Sequence, residues 1–224
     1  MQDVGPEVPV PSDSAPITRR SAREVVLARL RSWIEEGQLA PGEVIKDADI
    51  AQRLGVSRTP VREALQILEQ HGLVEMEPGR LTRVTDTAPE DIALVYAPLS
   101  ALQALAARTA TPKVAKADVE EMREHNARLL RAVEANDAVA AREADRAFHG
   151  VLVRCAGNRY LTAAIEPMLT HIRRLEALYF TELDLGHRSH EEHERIVEAV
   201  AAGDAAAAAE RTRVNFMRYV GAEQ

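Results

Sequence analysis

The sequence predicts a mainly α protein, with three helices and a two-stranded wing at the N-terminus followed by an all-α helical bundle. Three observations carry this. Helical apolar periodicity runs through nearly the whole chain from Thr18. The only strand-like segments, Leu73–Met76 and Leu81–Val84, flank a Pro78-Gly79 turn. From Pro89 onward the strand signals stop.

Residues 1–17 hold four of the eleven prolines and no apolar periodicity, which reads as a disordered tail. A first helix is expected from Thr18 to Gly37, with Val25, Val26, Leu27, Leu30, Trp33 and Ile34 at helical spacing. A short second helix runs from about Asp47 to Leu54, with Gly55 placed for a left-handed C-cap. A third opens near Thr59-Pro60, proline being favoured at the first helical position, and continues through Val61, Ala64, Leu65 and Leu68 to about His71. With the hairpin, these make one unit over residues 18–85. Residues 86–224 show helical patterns at about 89–109, 114–135, 137–155, 159–183, 189–202 and 204–220. Breaks fall at Thr111-Pro112, Asn136-Asp137, Gly157-Asn158, Leu185-Gly186 and Gly203-Asp204.

Composition removes several function classes. The chain has 224 residues, a net charge of −7 and one cysteine, Cys155, so a disulfide scaffold is excluded and a reducing compartment expected. Aromatic content of 4% argues against an RNA binder that stacks bases on aromatic faces. No apolar run is expected to approach the ~18–20 residues that span a bilayer. The N-terminus lacks the basic and apolar regions of a secretory leader, so a cytoplasmic protein without membrane partners is expected. The acidic balance does not exclude nucleic acid, because residues 18–84 carry 11 Lys and Arg against 10 Asp and Glu.

The stretch Leu54-Gly55-Val56-Ser57-Arg58-Thr59-Pro60-Val61-Arg62-Glu63-Ala64-Leu65 places hydroxyls and arginines at a helix start. Ser57 and Thr59 sit where free backbone N–H groups favour a phosphate. Arg58 and Arg62, four residues apart, share the face opposite Val61, Ala64 and Leu65, as a helix that reads guanine O6 and N7 in the major groove requires. Arg80 and Arg83 in the wing are placed to reach adjacent backbone or minor groove. The alternative is a three-helix module with solvated arginines.

Residues 50–73, IAQRLGVSRTPVREALQILEQHGL, resemble the winged helix-turn-helix of GntR-family transcriptional regulators. The resemblance implies that Arg58 and Arg62 contact DNA and that Ser57 and Thr59 approach phosphates. Leu81 follows Arg80 where the family usually has glycine.

In the helical half, Asp145 and His149 in EADRAFHGVL are spaced i, i+4 and share a helix face. With another helix supplying ligands they suit a divalent metal, and His187, His190 and His193 of GHRSHEEHERI are candidates; a surface pair is the alternative. The order D-x-x-x-F-H, A-G-N and E-H-x-x-I-V-x-A-V-x-x-G-D resembles the all-helical, FCD-type effector domain of the FadR-like branch of that family. Carried over, the resemblance implies Asp145, His149 and His193 as metal ligands, with Asn215 at a fourth position where a histidine is usual. Such ligands suit zinc, nickel, manganese or iron. The family's R-x-x-L-E clamp for an effector carboxylate is replaced here by Leu99-Ser100-Ala101-Leu102-Gln103, which leaves His171, Arg173 and Arg174 as candidates for meeting an anion. Asn158 is read as a helix cap and Cys155 as a small buried hydrophobe.

The resemblance implies a dimeric repressor on a palindromic double-stranded operator, released or reoriented by a small-molecule effector, with an organic acid expected. Two other readings are a metal-dependent enzyme using Asp145, His149 and His193, and a ligand-free dimerisation bundle. Neither H-E-x-x-H nor H-x-x-E-H occurs, and His190-Glu191-Glu192-His193 has the wrong spacing, so no enzyme is expected.

Overall fold

The computed structural model describes residues 21–77, 81–179 and 186–217. The N-terminal tail and Arg80 at the wing turn therefore lie outside the described residues. The first helix, α1 (Ala22–Glu35), begins later than its periodicity suggests because a capping box fixes its start: the Glu24 N–H donates to Ser21 Oγ and the Ser21 N–H to the Glu24 carboxylate. It buries Val26, Leu30 and Ile34, whereas Val25 is exposed. The strand β1 (Val44–Ile45) follows, then α2 (Asp47–Leu54), closed by Gly55 at φ 66°, and α3 (Arg58–Gln70), whose buried face is Val61, Ala64, Leu65 and Leu68. The strands β2 (Val74–Met76) and β3 (Thr82–Val84) complete the unit.

The expected two-stranded wing is a three-stranded antiparallel sheet in the order β1-β3-β2. Val44 faces Arg83 across one ladder and Glu75 faces Arg83 across the other. Two residues are too few to show a period-two pattern, so β1 left no periodic signal.

The bundle comprises α4 (Asp91–Ala110), a 3-10 turn at Thr111–Lys113, α5 (Lys116–Glu134), α6 (Ala138–Ala156), α7 (Arg159–Tyr179), α8 (Gly186–Ala201) and α9 (Ala205–Met217). The segment Asp91–Lys113 reaches a mean hydropathy of 1.2 and is, by length and composition alone, long enough to cross a membrane, against the sequence expectation. Packing accounts for part of the apolarity, whereas Leu94 and Leu105 on the same helix are exposed. α4 is the central helix, packed by α6, α7 and α9, and it buries Tyr96, Leu99, Ala106, Ala107 and Ala110. The apolar residues of the N-terminal unit and of the bundle form separate clusters.

Candidate functional site

α6 carries Asp145 and His149 on one face, and α8 brings His193 to them. The three offer ligand atoms that all lie within 4.8 Å of one another. His193 Nε2 is 3.2 Å from His149 Nε2 and 3.4 Å from Asp145 Oδ1. His149 and His193 are buried, while the Asp145 side chain is 27% exposed. Phe148 stacks on His193 at 3.8 Å between ring centroids and meets His149 edge-on, so the imidazoles are fixed by packing as well as by polar contacts.

The tautomer of His193 follows from its neighbour. Asn126 Nδ2 donates to the His190 carbonyl at 3.2 Å and to Glu194 Oε1 at 2.5 Å, which orients the amide. Asn126 Oδ1, 3.1 Å from His193 Nδ1, can only accept, so Nδ1 carries a proton, and in the neutral imidazole the Nε2 lone pair is the atom directed toward His149 and Asp145. Two nitrogens bound to one tetrahedral zinc at about 2.0–2.1 Å stand roughly 3.3 Å apart, and the observed imidazole separation is of that size. The chemistry and spacing of these donors fit a divalent cation.

A cavity of about 420 Å³ is lined by two of the three donors, Asp145 and His149. Its wall includes Tyr96, Leu99 and Gln103 of α4, Arg146 and Gly150 of α6, Ile165, Leu169, Ile172 and Glu176 of α7, and Asn215 and Phe216 of α9. Asn215 is buried and donates from Nδ2 to Glu192 Oε2 at 2.8 Å, which leaves its carboxamide oxygen as the atom it can offer a ligand. Burial pushes the Glu176 carboxyl up to about 7, against the lowering influence of the Arg146 guanidinium 3.3 Å away. His187 is exposed, and neither it nor His190 belongs to the three-residue group.

The anion-binding candidates are not in this wall. His171 Nε2 is 2.8 Å from the His71 carbonyl, to which it must donate. Arg173 pairs with Glu35 at 3.0 Å, and Arg174, 1% exposed, donates to the hydroxyl and carbonyl oxygens of Thr85. Sequence reasoning placed these residues on an effector. The structure gives them to the contact between bundle and N-terminal unit: Arg174 projects from the side of α7 opposite Ile165, Leu169, Ile172 and Glu176, and His171 and Arg173 reach His71 and Glu35 from the flanks. Asn158 caps α7 as expected, accepting from the Tyr160 and Leu161 N–H groups. Cys155 is only half-buried; burial and the neighbouring Asp118 carboxylate push its thiol up.

On the N-terminal unit, Ser57, Arg58, Thr59 and Arg62 are exposed together at the start of α3. Ser57 occupies the N-cap position without a side-chain cap hydrogen bond. Arg83 is exposed on the central strand beside Glu75 rather than at the wing tip.

Sequence reasoning missed Asn126 and Glu176. Asn126 carried a signal: it interrupts the stripe Val119, Met122, Leu129 and Val133 at the helical spacing of an apolar residue. Glu176 carried none, because one acid on an amphipathic helix gives no sign that its face is covered.

Residues 22–84 match the model described as bacterial regulatory proteins of the gntR family, and residues 95–216 match the FCD domain. A relative described as the "Probable D-xylose utilization operon transcriptional repressor" of Paenarthrobacter nicotinovorans is 31% identical over 191 residues, 84% of each chain. The transcriptional regulator LutR of Bacillus subtilis is 30% identical over 196 residues, 78% of this chain and 89% of LutR. Among solved structures, Escherichia coli McbR/YncC superposes with a TM-score of 0.75 at 20% identity, covering 89% of this chain and 95% of the other. A regulator from Rhodococcus sp. RHA1 gives 0.70 at 23% identity, covering 92% and 100%. These two likenesses concern the fold.

Proposed function

The chain belongs to the GntR family of bacterial transcriptional regulators, with a DNA-binding N-terminal domain and an FCD effector domain, and from that premise we propose that it is a cytoplasmic, homodimeric repressor released from a palindromic operator by a small organic acid. Residues 18–85 form the DNA-binding domain and 86–224 the effector and dimerisation domain. The observation that carries this reading is the double use of α7. One face of α7 walls the cavity that Asp145 and His149 line, and the flanks and back of the same helix hold the N-terminal unit through His171, Arg173 and Arg174.

Asp145, His149 and His193 hold a divalent cation, with the Asn215 oxygen as a candidate fourth ligand. Held there, such a cation would supply Lewis acidity toward an effector carboxylate. Arg146 and Gln103 orient the rest of the ligand, and the apolar wall excludes water. α3 enters the major groove, where Arg58 and Arg62 read base edges, Ser57 and Thr59 meet phosphates, and Arg80 and Arg83 add backbone contacts from the wing. A ligand that alters the packing of α7 biases the placement of the two DNA-binding heads, with a coupling of order 1–3 kcal/mol.

The test uses the full chain purified without chelator. Elemental mass spectrometry is expected to find about one metal equivalent per chain, lost in Asp145→Ala and His193→Ala. Duplexes selected by the protein from a random library are then titrated with and without a panel of short hydroxy acids. Metal absent from the wild type refutes the metal centre, and affinity indifferent to every acid refutes the acid effector.

A further inference from the structure

One carboxylate stands behind both arginines at the start of α3. Asp47 is the first residue of α2, and its side chain is 19% exposed, whereas those of Arg58 and Arg62 are 56% and 60% exposed. Arg58 donates from Nε to Asp47 Oδ2 at 3.3 Å and from Nη2 to Oδ1 at 2.8 Å and Oδ2 at 3.0 Å. Arg62 donates from Nε to the same Oδ2 at 2.5 Å. Each guanidinium is thus held by the edge that contains Nε. The outer edge, formed by Nη1 and Nη2, still carries a pair of N–H groups that a guanine O6 and N7 can accept in bidentate fashion.

We propose that Asp47 is a positioning residue for sequence reading, holding Arg58 and Arg62 by their inner edges so that both outer edges face the base pairs. This rests on the reading that α3 enters the major groove. Two physical consequences follow from the geometry. An arginine already restrained loses less rotamer freedom on contact with a base, which favours the correct site. The carboxylate also cancels one of two positive charges, which weakens the attraction to any phosphate irrespective of sequence. The two guanidiniums in turn hold Asp47 below the usual carboxylate range, so it stays charged at neutral pH. Packing of α2 does not depend on the cluster, since Ile50 and Ala51 are buried under it and exposed ion pairs add little stability.

The experiment selects duplexes from a random-sequence library with the full-length wild type, then compares the enriched duplex with a scrambled one at several salt concentrations. Asp47→Asn is expected to lower the ratio of selected to scrambled affinity about tenfold and to flatten the preference for guanine. It is also expected to bind the scrambled duplex more tightly, with a salt slope steeper by nearly one. Asp47→Glu restores the ratio. Asp47→Ser serves as a second charge-removing variant, and circular-dichroism melting identifies the variants that are folded. An unchanged ratio and base profile in a folded variant lacking the charge overturns the inference, provided Arg58→Ala and Arg62→Ala each weaken binding. If those two alanine variants bind as the wild type does, or the wild type enriches nothing, the groove reading itself falls, and the inference with it.

Discussion

His193 and Asn126, on helices α8 and α5, are joined by a 3.1 Å contact between Nδ1 and Oδ1 deep in the bundle. The contact fixes the ring orientation and the tautomer that leaves Nε2 available to a metal. Asn126 is itself anchored by the His190 carbonyl and Glu194, so three polar groups settle one imidazole. Asn126→Ala is expected to weaken metal affinity by about 10- to 100-fold while the three ligands remain. Competition with a chelator of known affinity measures this. Metal retention equal to the wild type would show that packing against Phe148 suffices to orient His193.

Among the described residues Arg174 is the largest fully buried side chain, and its guanidinium donates to Thr85, at the end of the N-terminal unit. Thr85 also donates its hydroxyl proton to the Gly72 carbonyl, linking α7 to the turn after α3. Arg174→Met keeps much of the volume and removes the donors. It is expected to cost roughly 1–3 kcal/mol and to speed amide exchange at Leu73 and Thr85. Exchange unchanged at those amides would mean that α1 and the Arg173–Glu35 pair hold the unit without Arg174.

Asn158 closes the start of α7, accepting two backbone N–H groups with one carboxamide oxygen. Asn158→Ala is expected to lower stability by about 1 kcal/mol, and Asn158→Asp to retain it, since a carboxylate suits a helix N-terminus. Urea denaturation of both variants gives the comparison. Equal loss in both would assign the effect to something other than the cap.

The sequence made the helix order legible because each bundle helix has its own apolar stripe and the breaks carry Gly, Asn-Asp or Thr-Pro. Asp145 and His149 were readable from a spacing of four, and their meeting with His193 is a tertiary contact that the residue order of the resemblance anticipated and that the packing of both α6 and α8 on α5 produces. Two features resisted. The charges of Arg173 and Arg174 suggested an anion, but what a buried arginine faces is set by the unit docked on it, and a local pattern holds no information on that. Asp47 looked like an ordinary acidic residue in a first helical turn. Its use emerges only when α3 is folded back across α2.

Glu176 gives the bundle a pH dependence whose sign can be worked out. Its ordinary value is 4.5, and burial in the wall of the cavity raises it to about 7. Between those values the folded protein keeps a proton that the unfolded chain has released, so stability falls as pH rises. The loss starts near pH 4.5 and is complete above about pH 7, and it amounts to about 3 kcal/mol at most. Glu176→Gln preserves the shape and cannot ionise. The variant should therefore melt less pH-dependently than the wild type from pH 5 to 8 and gain relative stability at the upper end. Arg146 opposes the gain, because the ionised Glu176 carboxylate that it faces at 3.3 Å in the wild type is absent from the variant. A variant with the wild type's own pH profile would place the titration elsewhere, and a variant destabilised most at pH 8 would show that the ionised pair with Arg146 outweighs the cost of burying the charge.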